Sequence, residues 1–208
     1  QGKEEQHNQK TINIMKTLVF SLVLTAVCTV CAAEDGQNPV RLEKPDIERP
    51  GTVMKALSER KSTREFSQKE LSLRDLSDLL GAANGVNRPD GRRTAPSALN
   101  KQDISVYVCM AGGSYLYDHK SHSLVPVSAG DARPVKEAPV CLVLVADEDT
   151  PWAGMDAGIV SQNISVFCSS ANLATVPRGS MDKKALAQAL KLDGKQVPLL
   201  NHPVWYFK

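Results

Sequence analysis

Apolar positions recur with two different periods along this chain, and the changes of period mark its elements. Leu73, Leu76, Leu79, Leu80 and Ala83 follow one another at helical spacing, which predicts an amphipathic helix over 73–84. Ser72-Leu-Arg-Asp75 in front of it reads as a capping box with Asp in the place of Glu. Val53, Met54 and Leu57 share one face of a first helix over 52–58, and Leu186, Ala189 and Leu190 one face of another over 181–191. Residues 103–110 (DISVYVCM) are rich in β-branched and aromatic side chains and predict a strand. A Gly112-Gly113 turn then separates them from two short paired strands, 114–118 and 123–127. Residues 139–146 (PVCLVLVA) form an apolar run of buried-strand length, and 203–208 (PVWYFK) a terminal strand. Residues 151–172 carry almost no charge, which predicts a helix buried on several sides or lying at a subunit interface. Residues 85–100 have no period and read as a long loop. Helices and strands mixed in this way specify an α+β layered domain.

Composition narrows the function classes. The chain has 208 residues, enough for one domain with a tail, and 42% hydrophobic residues, enough for a substantial core. A formal net charge of +2 and 5% aromatics point to no nucleic-acid partner and no base-stacking platform. Near-neutrality suits a small-molecule site.

The beginning of the chain reads differently. Met15-Lys16, an apolar run from Leu18 to Val30 and Cys31-Ala32-Ala33 make a secretory signal peptide over 15–33. That predicts an exported protein, periplasmic or extracellular, with no stable membrane association after cleavage. The run is short for a bilayer span. Val27 and Val30 precede Cys28 and Cys31, where a lipoprotein signal requires a small residue. Residues 1–14 are polar and read as an artefactual leader, and 34–50, with three prolines and many charges, as an extended arm before a domain over 51–208. Cys28-Thr-Val-Cys31 lies in the signal and is neither a redox centre nor a half-site for zinc. Cys109, Cys141 and Cys168 sit in apolar surroundings and read as small buried hydrophobes.

Three polar segments carry candidate chemistry. Arg60-Lys61-Ser62-Thr63-Arg64 sets planar guanidinium donors beside a hydroxyl, equipment for a terminal phosphate; the plain alternative is a solvated surface patch. GRRTAPSALN, residues 91–100, joins a restricted Pro96-Ser97 backbone to Thr94, Ser97 and Asn100, and the Asn amide offers the donor and acceptor that a heterocyclic edge needs; the plain alternative is a polar loop. Val176-Pro-Arg-Gly-Ser180 contains a glycine that allows close backbone approach to a ligand; the plain alternative is a helix–helix turn. His119 and His122 lie in a hairpin turn and His202 beside Pro203, which predicts no metal site.

Taken together, RKSTR, GRRTAPSALN, DAGIVSQNI and ATVPRG occur in an order and at spacings that resemble the nitroreductase family of FMN-dependent oxidoreductases. The resemblance runs from about residue 50 to the C-terminus. It implies an α+β sandwich with a mixed, mainly antiparallel sheet flanked by helices, in an intertwined homodimer with FMN at the subunit interface. It implies that Arg60, Lys61, Ser62 and Arg64 hold the phosphate and ribityl chain, and that Pro96, Ser97, Ala98 and Asn100 line the flavin. Pro177, Arg178 and Gly179 then form the turn facing flavin N5, and Lys208 supplies a basic group near the phosphate. Asp156, Gln162 and Asn163 fall on the long helix as structural residues. The implied activity is a ping-pong hydride transfer from NADH or NADPH through flavin N5 to a small acceptor such as a nitroaromatic or a quinone. Arg92 and Arg93 are candidates for the cation that stabilises charge on the reduced ring.

The chain departs from the family where members often continue the loop as N-x-Q-P-W; here Asn100 is followed by Lys-Gln-Asp-Ile. The RTAPSA form also resembles flavin dehydrogenases that oxidise azolines in peptide natural products. Export without a twin-arginine signal means that flavin binds outside the cytoplasm or that the protein binds a ligand without turnover.

Overall fold

Strand β5 (Val140–Ala146) is buried at all seven positions because it is covered on both faces and paired on both edges. The computed structural model describes residues 37–67 and 69–207; the expected leader, signal peptide and Lys208 lie outside the described residues. Within them the elements run β1 (Val40–Arg41), α1 (Val53–Glu59), α2 (Leu73–Asn84), β2 (Ile104–Met110), β3 (Gly113–Asp118), β4 (Ser123–Ala129), β5, α3 (Ala153–Ser170), β6 (Leu173–Thr175), α4 (Lys183–Ala189) and β7 (Val197–Tyr206). They build one sheet in the order β1-β4-β3-β2-β5-β7-β6. Every pairing is antiparallel, so the sheet has no parallel component.

Alternation along β5 divides the core in two. Val140, Leu142, Leu144 and Ala146 face α2 and α3, with Leu79, Leu80, Val160 and Ile164. Cys141, Val143 and Val145 face the other side, with Trp205, Leu186 and Leu190 of the α4 layer. Period-2 patterning places successive side chains on opposite faces, and an apolar run with no polar member fits only where both faces are covered. Cys109, Cys141 and Cys168 are all buried and free.

Helix α2 spans the residues that the sequence predicts. Its cap is built differently from the expected box. Ser72 Oγ accepts from the Asp75 N–H, but the Ser72 N–H donates to the Tyr206 hydroxyl at 3.0 Å, and that hydroxyl donates to Asp75 at 2.6 Å. The Asp side chain is one methylene shorter than Glu, and a tyrosine from β7 bridges the gap.

Two differences from the sequence reading have physical causes. Residues from Gln37 onward belong to the compact unit: Leu42 is buried, β1 pairs with β4, and Arg49 binds Asp75 at 2.5 Å and Asp78 at 2.7 Å. The final strand is ten residues long where six are expected, and it starts at Val197. Pro198 enters it where the register against β5 shifts between Leu144 and Val145, a position at which a missing N–H breaks no regular pairing.

Candidate functional site

Residues 60–64 follow the end of α1. The Thr63 N–H donates to the Thr175 carbonyl at 3.1 Å, which lays the segment along β6. Lys61 Nζ lies 5.8 Å from the centre of the Phe207 ring and lines a cavity of about 410 Å³ with Glu59, Ser165, Cys168, Ser169 and Asn172. Among the described residues no carboxylate pairs with Arg60, Lys61 or Arg64. Thr63 Oγ1 is buried there without a hydrogen-bond partner. Three cations without an ion-pair partner among the described residues, in a segment that carries an unsatisfied hydroxyl, suit an anionic ligand.

The floor under this segment is a neutral buried histidine. Thr175 Oγ1 donates to the Pro203 carbonyl at 2.8 Å and lies 3.3 Å from His202 Nδ1, while Ser161 Oγ lies 2.8 Å from Nε2. The Thr175 hydroxyl proton is committed to Pro203, so Nδ1 carries the ring proton and Nε2 accepts from Ser161. Burial drives the His202 pKa down to about 3. The ring has no solvent access and is a structural group.

The loop at 94–102 is held by side chains at every turn. Ala98 N–H donates to both Asp156 oxygens, at 3.0 and 3.1 Å. Ser97 Oγ accepts from the Gln102 N–H at 2.7 Å, and the Asn100 N–H donates to the Ser97 carbonyl at 3.0 Å. Within this frame Leu99, Asn100 and Gln102 have φ of 54°, 53° and 52°. Non-glycine residues adopt the left-handed region at a cost, and such residues cluster where the surroundings over-determine them. Burial raises the pKa of Asp156, the Ala98 N–H opposes that shift, and neighbouring Asp103 adds to it.

The turn at 176–180 does not join two helices. It follows β6 and runs beside β7: Arg178 and Asn201 exchange backbone hydrogen bonds at 2.9 and 2.8 Å, and Asn201 Nδ2 donates to the Arg178 and Ser180 carbonyls at 3.1 and 3.3 Å. A Cβ at Gly179 would meet nothing within 4 Å, so the backbone there is open to a ligand. Pro177 is exposed beside it.

The two arginines ahead of the loop go separate ways. Arg92 is exposed and pairs with Asp90 at 3.4 Å. Arg93 turns inward, donating to the Ile104 carbonyl at 3.1 Å and lying 3.1 Å from His119 Nε2. Burial lowers the Arg93 pKa, and burial followed by Arg93 itself lowers that of His119. Among the described residues no group of three or more His, Cys, Asp or Glu is placed to hold a metal.

One chain does not bring the cation segment and the loop together. Asp156, which holds Ala98, and Ser165 and Ser169, which line the cavity beside Lys61, are separated by nine and thirteen helical residues, about 15–20 Å along α3. The sequence assigns Thr175 and Asn201 no role, because their partners come through long-range pairing that no local pattern carries.

Comparisons with known proteins agree on one family. The profile of the Nitroreductase family matches residues 57–204. A nitroreductase-family protein of Methanocaldococcus jannaschii is 29% identical over 194 residues, 80% of this chain and 96% of the relative. The crystal structure of a nitroreductase-family protein from Ralstonia eutropha JMP134 is 34% identical, covers 86% of this chain and 92% of its own, and superposes with a TM-score of 0.77. The Escherichia coli microcin synthetase McbBCD complex shares the fold at 19% identity and a TM-score of 0.64, over 86% of this chain and 83% of that one.

Proposed function

The chain belongs to the nitroreductase family, and on that premise we propose that it is an FMN-dependent oxidoreductase that takes hydride from NADH or NADPH and delivers electrons to a small acceptor. The observation that carries the reading is the set of cations at Arg60, Lys61 and Arg64, which no carboxylate neutralises among the described residues. The residues present fit the cofactor: Arg60, Ser62 and Arg64 supply charge-assisted donors for a phosphate, the amide of Asn100 suits a ring edge, and the open backbone at Gly179 suits close approach to the ring. When bound, FMN supplies two-electron transfer between a nicotinamide and an acceptor. The protein binds and orients it.

The reading includes a homodimer. Helix α1 buries only Ala56 and exposes Val53 and Met54 at 67% and 75%. Helix α3 exposes Gly154, Met155, Gly158 and Gln162 along one side. Faces of this kind on a monomer mark a contact surface, and a second copy supplies the loop that one chain holds away from its own cation segment. The test is a spectrum of the purified protein before and after NADH or NADPH. Bound flavin that bleaches with either nicotinamide supports the enzyme. Flavin that stays oxidised with both points to ligand binding without turnover, and protein that takes up no added FMN sinks the proposal.

A further inference from the structure

Asp156 is 2% exposed; both its oxygens accept from a single backbone N–H, that of Ala98, and the neighbouring side chain is another carboxyl, Asp103. That is an unusual commitment for a buried carboxylate, because one amide proton offsets little of the desolvation cost of a charge. The strain lies immediately beyond the contact. Leu99, Asn100 and Gln102 occupy the left-handed region, and the Leu99 side chain is 83% exposed, so no packing of its own holds it there. Thr94 fixes the start of the loop to α2, its hydroxyl donating to the Gly81 carbonyl at 3.3 Å, and from residue 97 onward the remaining ties are internal: Ser97 Oγ to the Gln102 N–H and the Ser97 carbonyl to the Asn100 N–H. Internal ties close the loop on itself without fixing it to the fold. Asp156, in the first turn of α3, is the side chain that joins residues 97–102 to a rigid element.

We propose that Asp156 is a positioning residue for the cofactor loop, its carboxylate holding Ala98 so that residues 99–102 stay in the left-handed conformation that presents Asn100. The proposal rests on the FMN reading for its consequence, and on the loop geometry for its cause. Released from Asp156, Ala98 gains a free N–H, and Leu99 and Gln102 relax to ordinary backbone angles. The direction of the Asn100 amide then changes. Asp156 touches no reacting group and acts only through the loop.

The test separates cause from consequence in the full chain. Hydrogen exchange of the amides at 98–102, measured without cofactor, should speed by about tenfold to a hundredfold in Asp156→Ala, the range expected for losing a hydrogen bond to a charged group. Exchange in β5 and β7 should stay unchanged. Asp156→Asn keeps one acceptor oxygen and should fall between. Binding of FMN, titrated by fluorescence, should weaken in the same order. Faster exchange spread through α3 and the sheet would show a general core residue and overturn the proposal. A released loop with unchanged FMN affinity would overturn it as well. Should the unaltered protein bind no FMN, the cofactor reading fails first, and the exchange data still show whether Asp156 governs the loop.

Discussion

The segment at 60–64 and the loop at 94–102 are both polar, and they are built on opposite principles. The first is lightly held. One backbone bond, Thr63 to Thr175, ties it to the sheet, and its charges are left uncompensated. The second is heavily held, by Asp156, Ser97 and three residues in strained backbone. The difference teaches that a binding site can be prepared by charge in one place and by shape in another. Charge tolerates motion, because Coulomb attraction falls off slowly with distance. A hydrogen-bonding edge does not, so it needs a rigid frame. Changes in the first region should therefore alter ligand affinity and leave stability alone, and changes in the second should alter both.

The largest expected effect concerns the floor beneath the first segment. His202 titrates normally near 6.5 when unfolded and near 3 when folded. Between those values the unfolded chain holds a proton that the folded chain does not, so stability falls as pH falls, by up to about 1.4 kcal/mol per pH unit. Denaturant melts from pH 7 to 4 should show this slope, and His202→Gln should flatten it whatever its stability at pH 7. A slope that survives the substitution places the acid sensitivity elsewhere. Next, Arg60→Ala with Arg64→Ala should weaken FMN binding roughly a hundredfold or more, since two charge-assisted contacts are lost. The thermal midpoint without cofactor should hold. A stability loss equal to the binding loss would erase the contrast between the two regions.

Smaller effects test the loop. Ser97→Ala removes the acceptor for the Gln102 N–H and should cost about 1 kcal/mol of stability in denaturant melts, with a parallel loss of FMN affinity. Leu99→Gly should do the reverse on a smaller scale. The side chain is exposed and its φ is 54°, so glycine relieves strain with little packing lost, for a gain of about 0.5 kcal/mol. If that gain comes with weaker FMN binding, the strained shape itself serves the ligand.

Much of this fold was legible because its elements follow local pattern. Helix α2 and strands β2 to β5 are set by period and turn residues, and α3 by an uninterrupted low-charge run. Strand β6 and the first half of β7 were not legible. Their sequences hold Pro198, Asn201 and His202, and the last two are fully buried. Polar residues go inside only where partners wait, here Arg178, Ser180, Thr175 and Ser161, and those partners are distant in sequence. At the candidate site the residue types were visible and the geometry was not. Nothing in Leu99 or Gln102 announces left-handed backbone, and Asp156 looks like an ordinary first-turn acid until Ala98 is seen against it.

The hydroxyl of Tyr206 between Ser72 and Asp75 sets an order of events during synthesis. A ribosome makes α2 long before it makes Tyr206, and the neighbouring Trp205, whose ring N–H donates to the Glu65 carbonyl at 2.9 Å, arrives equally late. Until β7 is made, α2 lacks part of its cap and the stretch leading into it lacks its anchor. A chain cut before Trp205 would leave the start of α2 and the stretch that follows the phosphate-suited segment unfastened together.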